Sequence, residues 1–125
     1  MIEKTQLGEV SPYITKDGSE IRELLHPHHH AVRRQSLAEA VVAPGAATLR
    51  HRHAQTEEIY HVTQGQGVMH LGERHFVIET GDSIVIRPGL AHCVENTGKQ
   101  ALHILCCCTP AYSHEDTEVL EDTAE

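Results

Sequence analysis

The sequence predicts an all-β domain, a barrel or sandwich of many short strands. Two features carry that expectation. Turn-forming residues recur at short intervals, at Pro44-Gly45, Gln64-Gly65, Gly72-Glu73, Gly81-Asp82, Pro88-Gly89 and Asn96-Thr97-Gly98. Between them lie short runs rich in β-branched residues, several alternating in polarity and none long enough for a helix. At 125 residues the chain falls within the range of a single core.

Taken in order, residues 1–35 are irregular and read as an N-terminal arm, a strand or two with a loop over one end of the domain. The barrel proper is expected over 36–112. Leu37-Ala38-Glu39-Ala40 could open a helix, but Val41, Val42 and the stop at Pro44-Gly45 favour a strand. Further strands are expected at Glu57 to Thr63, Arg74 to Glu79, Ser83 to Arg87 and Ala101 to Cys108. Residues 113–125 read as an acidic, solvated and flexible tail.

Ten Lys and Arg stand against eighteen Asp and Glu, a formal charge of -8. Six of those acids fall between Glu115 and Glu125 with no base among them, so residues 1–114 carry ten bases against twelve acids. A nearly neutral body with an acidic end argues against nucleic acid or an anionic membrane as partner. Apolar stretches are a few residues long, too short for a membrane-spanning helix or the core of a signal peptide. A cytoplasmic protein is expected. With no Trp, one Phe and three Tyr, the core must come from Val, Ile, Leu and Ala.

The four cysteines, Cys93, Cys106, Cys107 and Cys108, make a poor disulfide framework. Neighbours on a strand point to opposite faces, and none shows the spacing of a thiolate zinc site. They read as small apolar residues with reduced thiols. The sharper alternative puts a thiol in a pocket wall, open to redox sensing or metal storage.

Twelve histidines are more than packing needs, and His is the commonest metal ligand. The informative pattern is Gly45, five residues, His51-Arg52-His53, four residues, Glu58, six residues, Gly65. On a strand His51 and His53 share a face, while Arg50 and Arg52 point away. A short turn at Ala54-Gln55 can return Glu58 beside the two rings, with Tyr60 and Val62 on its side. A second pattern runs Gly81, five residues, Arg87-Pro88-Gly89, two residues, His92, three residues, Asn96. His92 would add a third imidazole from another strand.

These two elements resemble the paired motifs of the cupin superfamily, over Gly45 to Asn96. The one departure is Arg87, where the family usually has Pro; with Pro88 and Gly89 following, the turn is expected to survive. The resemblance implies a jelly-roll β-barrel holding one divalent transition metal ion on His51, His53, Glu58 and His92. Fe, Mn, Ni, Co, Cu and Zn all suit that set. It also implies turn and scaffold roles for Gly45, Gly65, Gly81, Gly89 and Asn96, and a homodimer.

Three imidazoles and a carboxylate leave open coordination positions, which suits chemistry on a small organic molecule. Dioxygenase-type oxidation and sugar-phosphate isomerisation or epimerisation are the enzymatic readings. A non-catalytic, metal-dependent binding or sensing module is the alternative. Tyr60 is the candidate catalytic hydrogen-bond donor, set against an aromatic that only fills the barrel. His26, His28, His29 and His30 read first as a solvated loop, and second as an arch over the barrel mouth. His61, His70 and His75 should lie at the surface, and the face of His103 is open. Arg33, Arg34 and Arg87 read as surface charges before anchors for an anionic substrate.

Overall fold

The computed structural model describes residues 1–120; the last five positions of the expected acidic tail lie outside the described residues. After a short 3-10 turn at Leu7–Glu9 the chain is built of strands. They are β1 (Tyr13–Ile14), β2 (Glu20–Leu25), β3 (Ser36–Val42), β4 (His51–His53), β5 (Glu57–Gln64) and β6 (Gln66–Leu71). β7 (Arg74–Glu79), β8 (Ser83–Ile86), β9 (His92–Glu95), β10 (Leu102–Thr109) and β11 (Thr117–Val119) follow. One sheet has the order β1-β2-β3-β10-β5-β8 and the other β11-β4-β9-β6-β7. Every strand pair is antiparallel, and the two sheets form the jelly-roll barrel.

Alternation in the sequence sets what faces inward. On β5 Glu58, Tyr60 and Val62 are buried while Glu57, Ile59 and His61 are exposed. On β10 Leu102, Ile104, Cys106 and Cys108 are buried in the same rhythm. Register places Ile104 opposite Val62, Cys106 opposite Tyr60 and Cys108 opposite Glu58. The inward row therefore changes along the barrel. At one end Val62, Met69, Ile78, Leu102 and Ile104 are at most 1% exposed and form a closed apolar plug. Toward the other end the same strands present Tyr60, Glu58 and the two thiols to a cavity.

Both segments flanking the expected barrel pair with its sheets. β2 in the N-terminal arm pairs with β3, with Ile21 opposite Ala40, and extends the first sheet. At the other end β11 pairs with β4, so 117–119 is sheet rather than flexible tail. The acidic residues themselves explain the docking. The Asp116 carboxylate accepts from the Gln55 and Thr56 amides at 3.0 and 3.1 Å. Glu118 pairs with Arg52 at 2.7 Å, and Lys16 Nζ donates to the His114 and Thr117 carbonyls at 2.9 Å. The charge that suggested solvation is used on two backbone amides and on one base, Arg52.

The turn containing Arg87 is intact. Gly89 has φ +81° and its amide donates to the His53 carbonyl at 2.7 Å, tying the turn before β9 to β4. Arg87 is exposed and adds charge without entering the barrel. Asn96, 2% exposed, closes the far end of the same motif. Its Nδ2 donates to the Val42 and Gln100 carbonyls at 2.9 and 2.8 Å, and its Oδ1 accepts from the Gly98 amide at 2.9 Å. Replacing Asn96 with Ala leaves those groups unpaired. The expected cost is about 2–4 kcal/mol, read as a lower urea midpoint with an unchanged slope.

Candidate metal centre

The three histidines reach one point from two strands. His51 and His53 sit two apart on β4, both buried, with exposed Arg52 between them. His51 is paired in register with His92, which opens β9. The ring centroids of His51 and His92 are 4.2 Å apart, those of His51 and His53 5.2 Å, and those of His53 and His92 5.5 Å. One ring nitrogen from each residue lies within 4.8 Å of the other two.

The outer nitrogens decide what the inner ones offer. His51 Nδ1 lies 2.8 Å from the Leu49 carbonyl, and His92 Nδ1 lies 3.0 Å from the Leu90 carbonyl. A carbonyl only accepts, so both Nδ1 atoms carry the proton. His53 Nδ1 lies 2.9 Å from Thr117 Oγ1, whose own hydrogen goes to the Ser113 carbonyl at 2.8 Å. That hydroxyl therefore accepts from His53. All three rings turn a bare Nε2 lone pair inward, the form a metal requires. Burial first, then the neighbouring His92 ring, holds His51 below its ordinary range and favours the neutral form.

Glu58 arrives from β5 as the hairpin spacing requires. Its Oε1 is 3.2 Å from His53 Nε2 and 3.7 Å from His92 Nε2. Its Oε2 accepts from the Cys108 thiol at 3.3 Å. Oε1 and His92 Nε2 are both buried and have no hydrogen-bond partner among the described residues. A carboxylate oxygen set against two inward nitrogens is an arrangement that calls for a positive charge between them. These residues fit a divalent cation.

The centre opens on a cavity with about 40 Å³ of room for water centres. That is space for roughly three waters or a molecule of a few heavy atoms. Its walls include Tyr60, Tyr112, Cys106, Cys108 and the carboxylates of Asp17, Glu23 and Glu58, and no Lys or Arg. Tyr60 is buried with its ring 6.0 Å from His92, and burial, then the Glu58 charge, keeps its phenol protonated.

Other residues singled out in the sequence fall elsewhere. Arg33 and Arg34 are exposed, and His61 is exposed beside Ser83 at 2.8 Å. His75 is exposed and stacks on half-buried His70, which meets Glu95 at 3.1 Å. His103 is half-buried against Glu39 at 3.2 Å, outside the cavity wall. The loop at 26–30 is only partly the solvated segment expected. His28 and His29 are exposed, but His26 and His30 are 6% and 8% exposed and hold the loop together. The His26 amide donates to His30 Nδ1 at 2.9 Å, and His26 Nε2 lies 2.7 Å from the Tyr112 carbonyl.

Sequence reasoning missed Asp17, Thr117 and the Cys108–Glu58 contact. Asp17-Gly18 is a hairpin-turn pair that could have been read, but nothing local says that the turn faces the cavity. Thr117 carries no local mark at all, because its role exists only once β11 lies on β4.

A family model described as "Cupin domain" matches residues 38–108. An uncharacterized protein of Methanocaldococcus jannaschii is 52% identical over 118 residues, covering 94% of each chain. The structure of a predicted oxalate decarboxylase from Thermotoga maritima is 27% identical, with a TM-score of 0.75, over 88% of this chain and 99% of that one. The polyketide cyclase RemF from Streptomyces resistomycificus superposes with a TM-score of 0.82 over 98% of this chain and 88% of its own, at 19% identity.

The thiols give a direct check on the cavity wall. Cys106 and Cys108 are buried and their thiols are pushed far up by burial, then by the Glu58 charge. Cys93 and Cys107 are half-buried. In the folded protein two thiols should react with a disulfide reagent at least roughly 100-fold more slowly than after denaturation, since each pKa unit costs about tenfold in thiolate. Four thiols reacting at one fast rate would contradict the wall.

Proposed function

The chain belongs to the cupin family, and on that premise we propose that it is a metal-dependent enzyme acting on a small oxygen-bearing organic molecule. His51, His53 and His92 hold one divalent transition metal ion through Nε2, and Glu58 holds it through Oε1. Such an ion supplies Lewis acidity and, for a redox metal, reactivity with O2. The carrying observation is that all three Nδ1 atoms are spent on protein acceptors while His92 Nε2 and Glu58 Oε1 stay buried and unpartnered.

The chain's own groups have separable parts. Leu49, Leu90 and Thr117 fix the rings and their tautomers. Cys108 donates to Glu58 Oε2 and so turns Oε1 toward the histidines. Tyr60, kept protonated, is the donor for a ligand oxygen in the cavity. The apolar plug behind Tyr60 keeps bulk water from the closed end.

Dioxygenase-type oxidation is favoured over sugar-phosphate isomerisation, because a phosphate would enter a small cavity whose charged neighbours are all acidic. The oxalate decarboxylase name of the Thermotoga maritima relative supports a ligand of a few heavy atoms. The reading includes a cytoplasmic homodimer, supported by four free cysteines and by exposed Ile59 and Val85 paired at a sheet edge.

Elemental analysis of untagged protein purified without added metal tests the centre. About one metal per chain is expected in the wild type and almost none after His51→Ala with His92→Ala. Equal metal in both would move the site to the loop carrying His28 and His29. Thr117→Val should weaken metal binding about 10–100-fold while leaving the fold intact, because it frees His53 to turn. Metal-dependent oxygen uptake with small hydroxy or keto acids would support the oxidative reading. Ligand binding that perturbs the metal without turnover of any compound would favour a binding or sensing module.

A further inference from the structure

The hairpin between β1 and β2 carries a carboxylate that the metal centre does not account for. The turn is closed by the Thr15 amide donating to the Ser19 carbonyl at 3.1 Å and the Gly18 amide to the Thr15 carbonyl at 3.0 Å. Inside it, Asp17 Oδ1 accepts from the Thr15 hydroxyl at 2.6 Å, the Ser19 hydroxyl at 2.6 Å and the Ser19 amide at 2.9 Å. The Leu49 amide donates to the Asp17 carbonyl at 2.7 Å, which ties the turn to the segment leading into β4. One oxygen is saturated and the carboxylate is locked in place.

The other oxygen is not satisfied in this way. Asp17 Oδ2 lies 3.6 Å from His51 Nε2, and its side chain is 12% exposed. The His51 proton sits on Nδ1, bound to Leu49, so Nε2 offers Oδ2 no hydrogen. Two acceptors thus face each other at 3.6 Å. Glu58 faces His53 and His92, whereas Asp17 faces His51, so the two carboxylates approach the imidazole cluster against different rings. Among the lining residues Glu23 adds a third carboxylate, and none is a Lys or Arg.

Building on the metal-dependent reading above, we propose that Asp17 is a specificity-determining residue that accepts the hydrogen of a ligand hydroxyl at Oδ2. It makes the site select small hydroxyl-bearing molecules, such as 2-hydroxy acids, over dicarboxylate dianions such as oxalate. A hydroxyl supplies the hydrogen that Oδ2 lacks. A fully ionised dicarboxylate of the same size sets oxygen against oxygen there, and like charge against like charge. The oxalate name attached to one relative therefore does not extend to this cavity.

Glycolate and oxalate form a matched pair, differing by CH2OH in place of one carboxylate. Cobalt(II)-loaded wild type, Asp17→Asn and Asp17→Ser are titrated with each at pH 7.5, following the visible bands of the metal. Asn and Ser both keep the oxygen that closes the turn, and circular dichroism checks that each variant folds. Asp17→Asn is expected to shift the oxalate-to-glycolate affinity ratio at least 10-fold toward oxalate, with Asp17→Ser moving the same way. A ratio within twofold of wild type in both folded, cobalt-loaded variants would overturn the proposal. Failure of the wild type to develop cobalt–histidine bands is a distinct result. It would overturn the metal reading and, with it, the role assigned to Asp17.

Discussion

Three imidazole rings packed within 5.5 Å of one another inside a β-barrel can be tolerated only if their protons are placed with care. Had the inner nitrogens carried the hydrogens, three donors would crowd one buried point. Each outer nitrogen instead meets an acceptor, the Leu49 carbonyl, the Leu90 carbonyl or the Thr117 hydroxyl. The two carbonyls lie two residues before the rings they bind, whereas the Thr117 hydroxyl arrives only by tertiary pairing. Leu90 follows the Gly89 turn held by the His53 carbonyl, and Thr117 lies on a strand that exists only against β4. The carboxylate of Glu58 obeys the same logic, with one oxygen bound to the Cys108 thiol and the other turned to the rings.

The barrel separates two environments along its axis. Strands β5 and β10 carry Val62, Leu102 and Ile104 at one end, and Glu58, Tyr60, Cys106 and Cys108 at the other, in strict alternation. A closed apolar end lets a polar centre sit in a dry interior, where charge placement has its largest effect. Both chain ends contribute to the open end. The Asp17 turn comes from the β1–β2 hairpin, and β11 fixes His53, so the segments outside the motif region shape the cavity as much as the motifs do. The cysteine run fits this division: Cys106 and Cys108 face inward as protonated thiols, while Cys107 alternates outward.

Much of this was legible in the residues. Turn spacing and β-branched runs placed β3, β5, β7, β8 and β10 within a residue or two of where they lie. The two-residue spacing of His51 and His53, and the alternation that set Glu58, Tyr60 and Val62 on one face, follow from the period of a strand. Such periodicity is local, so it survives in a one-dimensional reading. The acidic end misled because net charge reports solvation on average, whereas Asp116 and Glu118 each found a specific partner. The His26–His30 loop misled for a similar reason, with His26 and His30 used internally as hydrogen-bonding struts.

The sequence by itself determined the fold class, the inward faces of the central strands and the residue types gathered at the centre, because those follow from spacing and turn chemistry within short windows. Only the tertiary structure decided the tautomer of His53, the oxygen of Glu58 that faces the rings and the arrival of Asp17 and Thr117 at the same cavity. Asp17 lies 34 residues from His51, and Thr117 64 from His53. The physical reason is that a hydrogen bond is a relation between two groups in space, and no periodicity within one strand encodes a partner brought in by another.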